Sequence, residues 1–232
     1  MVEPATPIHA QVVRDGLVGT GEPDRDVAVL VFLGDGAMSQ GDVSEAFVWA
    51  AAQQLPVVFF CQNNQWAISA PVAVQSRVPL YRRAAGFGFP GVRVDGNDVL
   101  ACLAVTRHAL QRARSGQGPT LIEAFTYRMN PHTTSDDAGR YRGDDELELW
   151  RARDPIRRVR SYLQNHAGFA EEFFDAITTE ADVLAERIRR DGRTVPDASH
   201  LSVFDNLYTD MPAELAEQRA EFEAFLANEA TG

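Results

Sequence analysis

The run Val27-Ala28-Val29-Leu30-Val31-Phe32-Leu33-Gly34-Asp35-Gly36 decides what kind of fold this sequence makes. Residues 27–33 are apolar without alternation, which predicts a strand buried on both faces, as in a parallel sheet. The Gly-Asp-Gly turn ends that strand and leaves a carboxylate at its carboxyl end. Beyond it Val43, Ala46, Phe47, Ala50 and Ala51 recur at i, i+3, i+4, i+7 and i+8, the stripe of a helix packing onto the sheet. Asp42, with Glu45 one helical turn on, has the form of a capping box and sets the expected helix start.

Outward from this run the pattern repeats. A second strand is predicted over 56–61, with Asn63 and Asn64 just beyond it, and a short third over 91–94. Asp95-Gly96-Asn97-Asp98 supplies turn and cap chemistry for a helix carrying Val99, Cys102, Leu103 and Leu110, with Gly116 past its end. A fourth strand follows over 120–125. This alternation predicts an α/β fold with a mainly parallel sheet and flanking helices, whose ligands bind beyond the carboxyl ends of the strands. After residue 144 the character changes. Leu147, Leu149, Trp150, Ile156, Val159 and Leu163 mark helices interrupted at Pro155, and further helices are expected over 171–190 and 212–228. The expected organisation is an N-terminal segment 1–25, an α/β domain 26–145 and a helical C-terminal extension 146–232.

Composition narrows the chemistry. The chain has 232 residues, 45% hydrophobic and 24% charged, enough for a buried core with an appendage. All 22 basic residues are Arg, which excludes Schiff-base and P-loop lysine mechanisms. The net charge of −11 argues against a nucleic-acid partner. The apolar run at 27–33 is too short to span a bilayer, and Met1-Val2-Glu3-Pro4 lacks the basic and apolar regions of a signal peptide; a cytoplasmic protein is the expectation. Cys61 and Cys102 sit in apolar periodic segments and read as small buried hydrophobes rather than a disulfide.

Asp35 and Asn64 then stand at the ends of consecutive strands. Together they present one charged and one neutral oxygen, which suits Mg²⁺, an ion usually held by one or two carboxylates plus substrate phosphates. The helix beyond the first turn adds a positive end for an anion. Either turn alone is ordinary loop chemistry. No G-x-G-x-x-G follows the first strand, so a dinucleotide-binding domain fits poorly.

Gly34-Asp35-Gly36-Ala37-Met38-Ser39-Gln40-Gly41-Asp42 and Phe60-Cys61-Gln62-Asn63-Asn64-Gln65-Trp66-Ala67-Ile68-Ser69 resemble the thiamine diphosphate motif of the alpha subunits of branched-chain 2-oxo acid and pyruvate dehydrogenases. The resemblance continues through Ala85-Gly86-Phe87-Gly88, Asp95-Gly96-Asn97-Asp98, Thr126-Tyr127-Arg128, His132-Thr133-Thr134-Ser135-Asp136-Asp137, Tyr141-Arg142 and Trp150-Arg151-Ala152-Arg153-Asp154-Pro155-Ile156. It implies that Asp35, the Asn64 side chain and the Trp66 carbonyl bind Mg²⁺. Trp66 stands where Tyr is frequent and Gln40 where Glu is frequent. It also implies that Gly34, Gly36 and Ala37 line the cofactor diphosphate and that Gln40 and Ala67 belong to the cofactor-binding set. His132 would hold the diphosphate and donate a proton as the acyl group passes to a lipoyl sulfur, a step suited to imidazole. Arg128 and Arg142 would anchor their loop or the phosphate, with Asp136, Asp137 and Tyr141 ordering the loop.

The implied activity is oxidative decarboxylation of a 2-oxo acid with transfer of the acyl group to a lipoyl group. The loop after His132 looks closer to branched-chain enzymes, with the pyruvate dehydrogenase alpha subunit as the alternative. The implied partners are a beta subunit, two alpha with two beta chains, and a lipoyl-bearing acyltransferase, so the site would complete at an alpha–beta interface. Members of this family carry a long segment before the glycine turn. Here 33 residues precede Gly34, with Pro7-Ile8-His9-Ala10 as the trace of a preceding helix. The expectation is therefore an N-terminally shortened subunit, and a truncated, non-catalytic partner of the beta subunit stands as a second reading.

Overall fold

The continuous apolar runs become a sheet because each is flanked by a residue type that stops it. In the computed structural model, which describes residues 19–22 and 26–229, strand β1 (Val29–Gly34) ends at the Gly-Asp-Gly turn. A 3₁₀ turn (Ala37–Ser39) leads to helix α1 (Gly41–Ala52), which returns the chain so that β2 (Val57–Asn63) lies beside β1 in the same direction. A small hairpin of β3 (Trp66–Ala67) and β4 (Ala70–Pro71) follows. Short helices α2 (Val72–Gln75) and α3 (Arg83–Phe87) precede β5 (Gly91–Asp95), α4 (Val99–Arg114) and β6 (Thr120–Phe125). The four main strands form one sheet in the order β1-β2-β6-β5, with every neighbouring pair parallel. The expected α/β architecture is the observed one.

The strand period of two sends alternate residues to opposite faces. Val31, Leu33, Phe59, Cys61 and Leu121 face α1, where they bury Val43, Ala46, Phe47 and Ala50. Val58, Ile122, Ala124 and Val94 face α4, against Ala109 and Ala113. Phe47 is the hub of the first layer. It is fully buried, and its ring meets Phe59, Phe87 and Phe89 edge-on at centroid distances of 4.8, 5.4 and 5.3 Å. Both cysteines are free thiols; Cys61 is buried as expected, whereas Cys102 is only half-buried.

Two local expectations change. α1 begins at Gly41 with Gln40 in the extended N-cap position and no side-chain cap, so Asp42 lies inside the first turn and the Asp42–Glu45 box does not form. Asp42 instead places its charge near the positive end of the helix. At α4 the cap is the one expected, with the Ala101 N–H donating to Asp98 Oδ1 at 2.9 Å. Val99 and Leu103 of that helix remain 48% and 43% exposed, so its buried stripe is narrower than its apolar pattern.

The described residues divide into two compact units, one up to residue 169 and one from residue 170 on. The first also carries α5 (Asp144–Arg151) and α6 (Pro155–His166), the latter starting on proline with Asp154 as its cap. The second holds α7 (Glu171–Arg193), α8 (Ser202–Asp205) and α9 (Ala213–Glu229). The expected helix trace at Pro7–Ala10 lies outside the described residues. Among the described residues no helix is long and apolar enough to cross a membrane.

Phe47→Ala is expected to lower the stability of the first unit by about 3–5 kcal/mol in urea denaturation followed by circular dichroism. Trp49→Ala, at a position 53% exposed on the same helix, is expected to change it by no more than about 0.5 kcal/mol. Equal losses would contradict the packing described.

Candidate functional site

Because β1 and β2 are parallel neighbours, with Gly34 opposite Gln62, their carboxyl ends bring Asp35 beside Asn64. Asp35 is 1% exposed. Its Oδ1 accepts the Asn64 N–H at 3.1 Å, while Oδ2 is buried with no hydrogen-bond partner. An acceptor left unpaired away from water carries an unrecovered desolvation cost. Burial accordingly raises the Asp35 carboxyl above the usual carboxylate value, against the opposing pull of the Asn64 and Asp35 N–H groups, Gln75 and Arg128. A cation at Oδ2 would relieve that cost.

The second turn is held in an unusual backbone conformation. Gln65 and Ile68 lie in the left-handed region at φ 71° and 55°. For a β-branched residue such as Ile68 this costs on the order of 1–3 kcal/mol. Asn64 Oδ1 accepts the Trp66 N–H at 3.1 Å. Arg128 clamps the outer side, donating from Nη1 to the Trp66 carbonyl at 3.2 Å and from Nη2 to the Ile68 carbonyl at 2.6 Å. The two turns touch at Gly36, where an added Cβ would lie 2.9 Å from the Ala67 Cβ. Glycine is required at that contact.

The structure thus joins Asp35, Gly36, Asn64, Trp66 and Ala67 directly. Gly34 ends β1, and Ala37 opens the 3₁₀ turn in which the Met38 N–H donates to the Asp35 carbonyl at 3.2 Å. Gln40 is exposed and serves as the N-cap position of α1. Among the described residues no three His, Cys, Asp or Glu side chains form a metal-holding group. The expected donors are one carboxylate, one amide oxygen and one carbonyl, the hard oxygens Mg²⁺ takes. The buried, unpaired Asp35 Oδ2 fits that ion.

Two residues of the site stand outside the sequence expectations. Gln75 bridges the turns, accepting from the Ser39 hydroxyl at 3.1 Å and donating to the Ala70 carbonyl at 3.1 Å. Glu123 is buried on β6 against Asn63. Its signal in the sequence is a single carboxylate within the apolar strand Thr120-Leu121-Ile122-Glu123-Ala124-Phe125.

His132 is exposed, and its backbone ties it to the site. Its N–H donates to Asp136 Oδ2 at 2.7 Å, and that oxygen also accepts the Tyr141 hydroxyl at 2.5 Å. The Tyr141 oxygen accepts in turn from Arg128 Nη2 at 2.8 Å, and its ring lies 5.2 Å from that of Trp66. Arg142 donates to the carbonyls of Arg128 and Met129, the latter at 2.7 Å. Asp137 accepts the Gly139 N–H at 3.2 Å. The loop is therefore fastened to the Trp66 turn through Arg128.

The Tyr141 hydroxyl and the His132 N–H hold the Asp136 carboxyl below the usual carboxylate value. A depressed folded value means that this fastening is fully present above the unfolded value of 3.8 and is lost as pH falls through the folded one. Hydrogen exchange at the His132 amide is expected to stay protected from neutral pH down to that value and to lose protection below it. Asp136→Asn is expected to lose protection already at neutral pH, and unchanged protection in that variant would contradict the network.

The chain matches the family described as dehydrogenase E1 component over residues 1–192. It is 47% identical over 205 residues to a 3-methyl-2-oxobutanoate dehydrogenase subunit alpha of Mycobacterium tuberculosis (strain CDC 1551 / Oshkosh), covering 88% of this chain and 56% of that one. It is 41% identical over 202 residues to a pyruvate dehydrogenase E1 component subunit alpha of Acholeplasma laidlawii, covering 84% and 57%. With the 2-oxoisovalerate dehydrogenase subunit alpha of Bacillus subtilis (strain 168) it shares 36% identity over 212 residues, covering 90% and 64%. The matched stretch spans little more than half the length of the first two relatives. By the family match and these identities, this chain belongs to the dehydrogenase E1 component family.

Proposed function

We propose that this chain is the alpha subunit of a 2-oxo acid dehydrogenase of the 3-methyl-2-oxobutanoate type and binds the diphosphate half of thiamine diphosphate through Mg²⁺. The observation that supports this most directly is the buried Asp35 Oδ2, unpaired beside Asn64 at the end of two parallel strands. Asp35 Oδ2, the Asn64 side-chain oxygen and the Trp66 carbonyl hold the cation. Gly34, Gly36 and Ala37 line the diphosphate, with backbone amides near the start of α1 offering donors to it, and Gln40 and Ala67 belong to the cofactor-binding set. Arg128 brings a positive charge to the same turn. The bound cofactor supplies the carbanion-stabilising chemistry of 2-oxo acid decarboxylation.

His132 holds the diphosphate and gives a proton to the lipoyl sulfur as the acyl group passes to it. The Arg128–Tyr141–Asp136 chain fixes the loop from which it acts. The site completes against a beta subunit, in an assembly of two alpha and two beta chains served by a lipoyl-bearing acyltransferase. This reading places the protein in the cytoplasm. The branched-chain assignment rests on the loop after His132 and on the 47% identity to the M. tuberculosis relative of that name.

The test is reconstitution with a beta subunit, thiamine diphosphate and Mg²⁺, following decarboxylation with an artificial electron acceptor. Turnover of 3-methyl-2-oxobutanoate above pyruvate is expected, with none from the chain alone; a preference for pyruvate would reassign the substrate. Asp35→Ala is expected to lower turnover by about 100-fold or more, and unchanged turnover would refute the cation site. His132→Ala is expected to slow transfer to a lipoyl acceptor by about 10²–10⁴-fold, well beyond its effect with the artificial acceptor.

A further inference from the structure

Glu123 is a buried carboxylate that none of these roles uses. It is 1% exposed and lies in the layer between the sheet and α1, opposite Cys61 in the β2–β6 register. Asn63, two residues further along β2, is 2% exposed and sits diagonally from it on the same face. Glu123 Oε1 accepts from Asn63 Nδ2 at 2.7 Å, and Oε2 accepts the Tyr81 N–H at 3.0 Å. The Arg93 Nε lies 3.7 Å from Oε1, a partial counter-charge from a side chain 36% exposed.

Both oxygens face donors, which suits a carboxylate and not an amide. That acceptor fixes which way the Asn63 side chain points. With Nδ2 on Glu123, Asn63 Oδ1 must face the other way, and there it accepts the Gln65 N–H at 3.0 Å. Gln65 is the left-handed residue of the turn, and its side chain donates to the Thr126 carbonyl at 2.8 Å. Asn64 and Trp66 flank it. A buried ionic group adds little net stability compared with apolar packing, so stability alone accounts poorly for a carboxylate in the middle of this strand.

We propose that Glu123 is a positioning residue for the cation: through Asn63 it holds the 63–66 turn so that Asn64 Oδ1 and the Trp66 carbonyl face Asp35. This rests on the reading that Asp35, Asn64 and Trp66 bind Mg²⁺. Glu123 touches neither ion nor substrate.

Exchanging the two partners tests it. In Glu123→Gln an amide meets two donors, and in Asn63→Asp two carboxylates meet. In the double variant the Gln amide at 123 donates to the Asp carboxylate at 63, which still accepts the Gln65 N–H, and the Gln carbonyl still accepts from Tyr81. Mn²⁺ binding is measured by electron paramagnetic resonance on the complex with the beta subunit, in the presence of thiamine diphosphate, beside the metal-free melting temperature and turnover at saturating Mg²⁺. Each single variant is expected to weaken Mn²⁺ about 10- to 100-fold, with turnover largely recovered at saturating metal, and the double variant to regain most of the affinity. Wild-type affinity in Glu123→Gln, or a lower melting temperature with unchanged Mn²⁺ binding, would overturn the proposal. If Glu123→Gln does not fold, Asn63→Ala is expected to give the same weakening, and unchanged affinity there overturns it equally. A wild-type complex that binds no Mn²⁺ with the cofactor would instead overturn the underlying cation site, and the positioning role with it.

Discussion

Much of this site follows from one hydrogen bond between two strand ends, the Asn64 N–H on Asp35 Oδ1. It forms because β1 and β2 are parallel and in register, so their carboxyl ends meet with no intervening strand. Satisfying one carboxylate oxygen this way leaves the other buried without a partner, which is unfavourable. The neighbouring features lean the same way. Gly36 allows the hairpin to approach, Gln65 and Ile68 adopt left-handed backbone, and Arg128 holds two carbonyls of the hairpin. Strain gathered at one place, on a rigid sheet, is typical of a binding site rather than of a plain turn.

The sheet is rigid for reasons that lie elsewhere. Phe47, Phe59, Phe87 and Phe89 form an interlocking aromatic layer on the α1 face of the sheet, and the Tyr127–Trp150 stack, with centroids 5.4 Å apart, anchors the start of the 128–142 loop. Tyr127 also donates to Glu146 at 2.8 Å, which ties α5 to the same point. Arg128 therefore leaves a fixed position to reach the Trp66 turn. The path from the His132 amide to the Trp66 carbonyl runs through Asp136, Tyr141 and Arg128, so the loop and the 63–66 turn share an arginine.

β2 and β6 were legible in the sequence because a strand buried on both faces leaves a run of apolar residues; β6 was expected over 120–125 and is found there, whereas β1, expected to be buried on both faces, is the edge strand of the sheet and leaves Phe32 60% exposed. Asp35 and Asn64 were legible because each interrupts or ends such a run. The start of α1 was not, since Gln40 caps it by backbone conformation and leaves no side-chain signature. Nor were the partners of Glu123. A lone carboxylate in an apolar strand shows that something unusual is buried there, but its pairing with Asn63 depends on the β2–β6 register, which no local pattern encodes. Gln75 was hidden for a similar reason, because its contacts lie on the hairpin and the 3₁₀ turn, separate in sequence.

The most direct measurement of the central claim is a crystal structure of the complex with the beta subunit, thiamine diphosphate and Mn²⁺, with anomalous scattering to locate the ion. One ion is expected, bound directly by Asp35 Oδ2, the Asn64 side-chain oxygen and the Trp66 carbonyl, a set of the hard oxygens that Mg²⁺ takes. An ion bound elsewhere, with Asp35 Oδ2 still unpaired, would contradict it.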